Sequence, residues 1–288
     1  MKYLLCRPMG GLNDTLNQIY LCYNYCKKYN RCLLIDTSYN NFMLESFDKY
    51  FTFIDESNII YNSYTIKTLI FNNEFTTYPN ILENKLYDYD NRYEYIRGFC
   101  YNSVSLSVNF NEEYSEDIIL HNNCGGGTNG ANMLSLLILN DYVIDSIKIR
   151  YTMIDKPYTS IHIRNTDYKT DYIAFSTQNN NTILEDNIFL ATDSKEALVY
   201  FKNLKTNDKL YTFIKTLNNN NYPIHRVNNN NTGNVFIDTI CDVILLALAD
   251  KFVFPPKNYG FTKLAIQLFN NKNILHSFTK NKFVYLSK

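Results

Sequence analysis

The sequence lacks the features that would place it in a membrane, in a secretory pathway or on a nucleic acid. It has no run of about 18 apolar residues that could cross a bilayer and no apolar segment typical of a signal peptide. Lys and Arg total 28, as do Asp and Glu, so no net charge attracts nucleic acid or an anionic membrane. We therefore expect a cytoplasmic protein with neither a membrane span nor a nucleic-acid partner.

A metal-binding or disulfide pattern is also missing. The seven cysteines are scattered and form no C-x-x-C pair. Cys22 and Cys26 lie one helical turn apart, but no neighbouring His or second pair completes a zinc set. An odd number of scattered cysteines is typical of buried free thiols in a reducing compartment, so we expect no metal site.

Length and alternation of elements predict the fold class. A chain of 288 residues, 45% apolar and 19% charged, is typical of a globular protein with two domains. Strands and helices alternate in both halves, which favours an α/β fold with two parallel sheets facing across a cleft. We place the boundary near residue 150, which gives domains 1–150 and 151–288.

The first domain opens with a strand, a glycine turn, a helix and a second strand over residues 3–36. Backbone amides near Gly10 and Gly11 and the helix dipole favour an anion or a hydroxyl-rich ligand there, with Thr15 as the N-cap. The segment 37–115 is irregular, and we expect short helices and loops. The glycine run at 125–130 is interpreted as a mobile loop before a helix at 133–139. A ligand cradle is the alternative, but no Lys follows in the P-loop arrangement.

The second half predicts a parallel sheet with a ligand site at its edge. Strands are expected at 158–164, 187–191 and 251–254, and helices at 142–154, 194–204, 235–249 and 259–269. Ligands bind beyond the carboxyl ends of strands in such sheets. The residues that follow each strand are therefore the candidates for binding and chemistry.

The first of these strands ends in His162, Arg164 and Asp167. Arginine offers a planar fork of donors that suits a phosphate, although a surface ion pair at a strand end is the alternative. The second strand ends at Asp193, which could accept from the N–H groups of a base. Amides near Gly260, with Arg164 and Lys257, could hold a diphosphate.

Four segments, in order, resemble motifs of the fucosyltransferase superfamily. The run His-Ile-Arg-Asn-Thr-Asp at 162–167 looks like the motif His-x-Arg-Arg-Thr-Asp, and 190–193 is similar to the second motif. Residues 251–265 are similar to the third motif, a Ser-Ser-Gly-Phe-Ser-like turn and a helix, and 10–14 to the N-terminal glycine loop. The match covers 3–36 and about 158–266. It departs from the pattern at Asn165, which replaces the second arginine, and at Asn258 and Tyr259, which replace serines.

The resemblance implies a GT-B architecture of two Rossmann-like domains, with acceptor binding in 1–150 and nucleotide-sugar binding in 151–288. It further implies transfer of fucose from GDP-fucose, or from a related nucleotide sugar, to a glycan or other hydroxyl acceptor. The transfer would be inverting and would need neither a metal nor another cofactor.

Roles for individual residues follow from this chemistry. Arg164 would stabilise the charge of the leaving diphosphate, and Asp14 is the candidate general base, with a helix cap as its alternative. The resemblance suggests that His162 helps to seat the guanine; the alternative is a structural histidine within a strand. The candidate donor-binding residues are Gly10, Gly11, Asn13, His162, Asp167, Asp193, Lys257, Gly260, Phe261 and Thr262.

Three other functions remain open. Asp88-Tyr89-Asp90 is a D-x-D triplet of the kind that metal-dependent glycosyltransferases use. Asp36 after the second strand would suit a Rossmann oxidoreductase, but the required G-x-G-x-x-G is missing. A sugar- or nucleotide-binding protein without turnover is compatible with Asn165. The acceptor cannot be identified from the sequence, and its specificity is expected to lie in 37–115.

Overall fold

The chain consists of two compact α/β units, Met1–Ile138 and Leu139–Lys288. The computed structural model describes residues 1–94, 98–206, 209–213, 232–257 and 259–283. The boundary predicted near residue 150 falls inside the second unit, because helix Asp141–Thr152 packs against helix Thr232–Leu248 of that unit.

The first unit is built on a parallel sheet. Its elements are β1 (Tyr3–Pro8), α1 (Leu12–Tyr29), β2 (Cys32–Ile35), β3 (Phe51–Phe53), β4 (Ile59–Ile60), α2 (Ser63–Phe71), β5 (Thr77–Tyr78), β6 (Arg92–Glu94), β7 (Gly98–Tyr101), β8 (Val104–Ser105), β9 (Ile118–Asn123), α3 (Gly130–Leu134) and, at the boundary, β10 (Leu137–Leu139). The sheet order is β4-β2-β1-β9-β5, and all pairings are parallel. The predicted strand–helix–strand opening is confirmed.

The segment 37–115 contains more strand than the sequence predicted. It supplies both edge strands of the parallel sheet, β4 and β5, and a separate antiparallel sheet of β6, β7 and β8. These strands have two to four residues each. Segments this short are below the length at which alternation of apolar residues becomes visible, which is why the sequence predicts short helices and loops there and no strands.

The helix predicted at 133–139 is wrong in its second half. Helix α3 ends at Leu134, and residues Leu137–Leu139 form β10, which pairs with β3. A short apolar run without flanking breakers fits a helix or a strand equally well, and here pairing with a distant strand decides the outcome.

The second unit carries a four-stranded parallel sheet. Its elements are α4 (Asp141–Thr152), β11 (Tyr158–Ile163), α5 (Tyr172–Gln178), α6 (Asn180–Glu185), β12 (Asn187–Thr192), α7 (Lys195–Leu204), β13 (Leu210–Tyr211), α8 (Thr232–Leu248), β14 (Lys251–Val253), α9 (Gly260–Asn270) and α10 (Lys272–Phe278). The sheet order is β13-β12-β11-β14. The prediction that the three strands near 158, 187 and 251 are parallel neighbours is confirmed.

Strand β11 lies between β12 and β14, so its carboxyl end is at the centre of the sheet edge. Its register with β12 sets Ile163 opposite Thr192. Arg164 and Asp193, the residues next in sequence, therefore leave the sheet side by side. Apolar side chains of β11 and β12 form one core with α7, which holds this edge rigidly.

Within the described residues no helix is long and apolar enough to span a bilayer. In the same part of the chain, no three His, Cys, Asp or Glu side chains are grouped so as to hold a metal ion. All seven cysteines are free thiols, and six of them are buried.

Candidate functional site

Arg164 is fixed at the carboxyl edge of the second unit's sheet. Its Nε and Nη2 donate to Oδ1 and Oδ2 of Asp167, both at 2.9 Å. The side chain is 19% exposed, and Nη1 has no hydrogen-bond partner among the described residues. The guanidinium is thus oriented by a two-pronged carboxylate contact and keeps donors for an anion, as the phosphate hypothesis requires.

The loop that carries Arg164 is held from the neighbouring strand by Asp193. Asp193 Oδ1 accepts from the backbone N–H of Asn165 at 2.7 Å, and Oδ2 accepts from the hydroxyl of Thr166 at 2.6 Å. Burial raises the pKa of the Asp193 carboxyl, and these two hydrogen bonds act against that rise. Asp193 therefore positions the loop, and a nucleobase would use the second lone pair of an oxygen that is already engaged.

Asn165 stands where the resembled motif has its second arginine. Its side chain is buried, donates to the hydroxyl of Ser194 at 3.2 Å and accepts from the N–H of Thr170 at 3.3 Å. Ser194 in turn caps α7 by accepting from Ala197 N–H. Asn165 thus stabilises the loop and leaves Arg164 as the arginine of this motif.

His162 joins β11 to the start of α9. Its Nδ1 lies 2.8 Å from Thr262 Oγ1, and its ring centroid is 4.8 Å from that of Phe261. Burial, with a contribution from Arg164, lowers the pKa of His162 to about 3. The imidazole is therefore neutral at physiological pH, and it interacts with Thr262 through a hydrogen bond and not through charge. This contact brings three predicted residues, His162, Phe261 and Thr262, together.

The turn before α9 contributes the remaining predicted residues of this unit. Gly260 is the first residue of α9, and Lys257 is exposed in the preceding loop. Asn258 lies outside the described residues. The ring of Tyr259 stacks on that of Tyr168, with centroids 4.0 Å apart. No sequence pattern predicts this pair, because 26 tyrosines in 288 residues look like compositional bias. The sign that the sequence does offer is an aromatic residue at a serine position of the third motif.

In the first unit, Asp14 lies at the amino end of α1, directly after the glycine turn. Gly10 has a φ of +96°, and Asp14 Oδ2 accepts from the N–H of Gly11 at 3.3 Å. The helix begins at Leu12 with Gly11 as its N-cap, so the predicted N-cap Thr15 is wrong. The glycine turn allows the helix to begin earlier, and Thr15 is buried within the first turns.

The glycine run that follows β9 is packed against α1, so its interpretation as a mobile loop is wrong. Asn13 Nδ2 donates to the carbonyl of Gly127 at 3.2 Å, and Gln18 Nε2 donates to that of Gly125 at 2.8 Å. A Cβ atom on Gly126 would lie 2.7 Å from Asp14 Oδ1. Positions 126 and 127 are glycine because side chains there would collide with the polar face of the helix, while Gly125 has a φ of +117°. The collision is a long-range contact that no local pattern reveals.

A buried histidine, His121, orients the Gln18 side chain that contacts the same glycine loop. His121 Nδ1 accepts from the N–H of Val108 at 3.2 Å, and its Nε2 lies 2.8 Å from Gln18 Oε1. Since Nδ1 is the acceptor, Nε2 carries the proton and donates to Gln18. Burial lowers the pKa of His121 to about 4, which keeps the ring neutral. Gln18, fixed in this way, directs its amide N–H groups to Gly125.

The oxidoreductase alternative loses its candidate residue, whereas the two carboxylates of the D-x-D triplet stay accessible. Asp36, required for the oxidoreductase, is fully buried and accepts from Arg7 Nε at 3.1 Å, so it cannot reach a ribose. Of the D-x-D triplet, Tyr89 is buried against the Arg7 guanidinium, while Asp88 and Asp90 are exposed. Arg7 is also 4.0 Å from the ring centroid of Tyr39 and 4.6 Å from that of Tyr87.

Comparison with solved structures identifies the fold. The fucosyltransferase NodZ from Bradyrhizobium aligns with a TM-score of 0.63 at 15% identity, covering 93% of this chain and 92% of that one. NodZ alpha-1,6-fucosyltransferase soaked with GDP-fucose aligns with a TM-score of 0.63 at 16% identity over the same shares. POFUT1 in complex with GDP aligns with a TM-score of 0.52 at 10% identity, covering 97% and 96%. The fold is that of the fucosyltransferases.

This likeness confirms, at the level of the fold, the resemblance found in the motifs and the predicted α/β class of GT-B type. It covers almost the whole chain, including the segment 37–115, for which the motifs gave no match. Neither a protein-family model nor a curated protein matches the sequence.

Proposed function

We propose that the protein is an inverting glycosyltransferase that moves fucose from GDP-fucose to a hydroxyl group of a glycan or similar acceptor, without a metal ion. The observation that supports this most strongly is Arg164, fixed by Asp167 at the carboxyl end of the central strand β11. It lies in a fold shared with one protein soaked with GDP-fucose and another in complex with GDP.

The second unit would bind the donor. As the bond between fucose and the diphosphate breaks, negative charge builds on the leaving GDP, and Arg164 would stabilise that charge where it forms. The first amides of α9, from Gly260 to Thr262, have no partner within the helix and point out of its amino end, so they suit the same phosphates. Lys257, in the loop before α9, would add a second positive charge for the phosphates. Asp193 and the neutral imidazole of His162 would help to seat the guanine.

The first unit would supply the general base of the reaction. The acceptor hydroxyl must lose a proton as it attacks the sugar, and a carboxylate is suited to accept it. Asp14 follows the glycine turn, and its Oδ2 is oriented by the N–H of Gly11. Gly10, Gly11 and Asn13 are the other candidate ligand-binding residues of this unit.

One observation favours a second candidate, a GDP- or sugar-binding protein without turnover. Asn165 replaces an arginine of the motif, and its amide is engaged in holding the loop together. A single arginine could suffice for binding and fall short for catalysis. A transferase that uses another nucleotide sugar is a further form of the main proposal.

Calorimetry with GDP, UDP and ADP, followed by a transfer assay with GDP-fucose, tests the proposal. We expect selective binding of GDP, with the same affinity in the presence of a chelator, and release of GDP when an acceptor is supplied. Binding without turnover over a broad panel of glycans would favour the second candidate. A strict requirement for manganese or magnesium would favour Asp88-Tyr89-Asp90 and overturn the metal-independent mechanism.

A further inference from the structure

Tyr168 and Tyr259 form an aromatic contact that the core does not explain. Their ring centroids are 4.0 Å apart with 25° between the planes, which is a stacked arrangement. Tyr168 is 47% exposed, so the pair lies at the surface of the unit. Because the rings are partly exposed, their contact buries little apolar surface. Ordering two loops costs conformational entropy, so burial alone does not account for the contact.

The two rings belong to the two segments that would hold the diphosphate. Tyr168 follows Asp167 in the loop after β11, and the Arg164 guanidinium carbon lies 5.4 Å from its ring centroid. Tyr259 is the N-cap of α9, an 11-residue helix whose first hydrogen bond runs from Lys263 N–H to the Tyr259 carbonyl. The stack therefore connects a fixed guanidinium directly with the amino end of a helix.

We propose that the stacked rings of Tyr168 and Tyr259 hold the Arg164 loop and the amino end of α9 at a fixed separation, so that both bind one diphosphate. The two tyrosines are positioning residues: they act through Arg164 and through the amides of α9. This inference rests on the proposed function for the identity of the nucleotide. The part that concerns the diphosphate, which both Arg164 and the amides of α9 would bind, does not depend on the nucleobase or on the sugar.

The contacts on the inner side of the same loops show why a second tie is useful. His162 and Thr262 join β11 to α9 within the sheet edge, at 2.8 Å. That contact joins β11 to α9 at the inner end of the site, whereas the stacked rings join the two loops at the outer end, next to Arg164 and Gly260. Two anion-binding groups lose affinity when the ligand itself must bring them together, because the ordering cost is then subtracted from binding.

Binding of inorganic pyrophosphate, GDP and guanosine by calorimetry tests the inference. Tyr168→Ala and Tyr259→Ala should each weaken pyrophosphate and GDP about two- to tenfold, the range equivalent to one ring–ring contact. The double variant should be no weaker than the singles, because either change removes the whole stack. Guanosine affinity should stay constant, and Tyr168→Phe and Tyr259→Phe should retain wild-type values because the rings remain.

Tyr200→Ala is the matched control. Tyr200 pairs with Tyr172 at 5.3 Å in the same unit and joins α7 to α5. Its loss should lower thermal stability and leave pyrophosphate affinity unchanged.

Equal pyrophosphate affinity in wild type, Tyr168→Ala and Tyr259→Ala would overturn the inference, whatever the GDP affinities are. Loss of guanosine together with GDP would assign the rings to the base and overturn it as well. Wild-type protein that binds pyrophosphate but not GDP would instead refute the proposed donor, and the pyrophosphate series would still decide the inference.

Discussion

Gly126 leaves room for the carboxylate of Asp14, since a Cβ atom at position 126 would lie 2.7 Å from Asp14 Oδ1. A Cβ atom at Gly10 would lie equally close to Oδ2, at 2.7 Å. The carboxylate is thus placed between two glycines from loops that follow neighbouring strands, β1 and β9. A side chain at either glycine position would displace one oxygen of the carboxylate, so both glycines are needed to hold Asp14 in this place.

Asp14→Asn separates the two roles of this carboxylate. Asparagine keeps an oxygen that can accept from Gly11 N–H, but it cannot take a proton. If Asp14 is the base, turnover should fall by roughly two to four orders of magnitude while GDP affinity and thermal stability stay close to wild type. Unchanged turnover in Asp14→Asn, together with a stability loss of about 0.5–2 kcal/mol in Asp14→Ala, would leave Asp14 as a helix cap only.

Gly126→Ala should move the Asp14 carboxylate while leaving that carboxylate chemically unchanged. The added methyl group forces the Asp14 carboxylate to shift, so we expect a lower kcat with unchanged GDP affinity. Gly127→Ala is the control, because its Cβ would meet Asn17 Oδ1 at 2.3 Å and not Asp14. In the Asp14→Asn background Gly126→Ala should have no further effect on kcat. A full additional loss there would show that Gly126 acts on something other than Asp14.

Arg164→Ala tests the other half of the mechanism. Stabilisation of the leaving diphosphate is greatest where charge is greatest, at the transition state, so turnover should fall by roughly two to three orders of magnitude. Arg164→Lys should recover only part of this, because an ammonium group lacks the two-pronged geometry that Asp167 orients. Turnover numbers with GDP-fucose measure the effect. Near-normal transfer by Arg164→Ala would remove this residue from the mechanism.

The second unit could be predicted from the sequence in more detail than the first. Its strands β11 and β12 are uninterrupted apolar runs, and residues that follow parallel neighbouring strands must meet at one edge, as Arg164 and Asp193 do. The short strands of 37–115 and the packing of Gly126 on α1 depend on contacts between distant parts of the chain. No local periodicity encodes such contacts.

The tyrosines also show that local sequence does not reveal contacts between distant parts of the chain. The sequence has 26 tyrosines, a number that is typical of an AT-rich genome and that explains the composition but not where each ring is placed. Tyr39, Tyr87 and Tyr89 enclose the buried guanidinium of Arg7, and this contact anchors the irregular segment on β1. An arginine inside an apolar strand was the local sign that a buried partner had to exist.

Arg7 and Asp36 should therefore be coupled in stability. Both side chains are fully buried, and Arg7 also donates to the carbonyl of Leu86. Arg7→Met should lower the free energy of unfolding by about 3–5 kcal/mol, because it leaves the buried Asp36 carboxylate without its cationic partner and, among the described residues, with hydrogen bonds from Ser38 alone. Adding Asp36→Asn should restore part of that loss. Urea unfolding of the two single variants and the double variant measures the coupling, and purely additive losses would contradict it.

Asp242 in α8 should make stability depend on pH. Burial raises the pKa of its carboxyl to about 8; Arg150 opposes this rise and Asp238 adds to it. Its Oδ1 has no hydrogen-bond partner among the described residues, so no hydrogen bond stabilises a charge on that oxygen. An aspartate in an unfolded chain titrates near pH 3.9.

Between these two values the folded chain holds a proton that the unfolded chain has released, so stability should fall as pH rises from about 4 to about 8. Asp242→Asn removes the titrating group and should flatten this part of the curve. Asp145→Asn is the control, because the Asp145 side chain is 64% exposed in a surface pair with Lys148 and should keep the wild-type slope. Urea midpoints measured across this pH range decide the question: parallel curves for wild type and Asp242→Asn would show that Asp242 is charged in the folded protein.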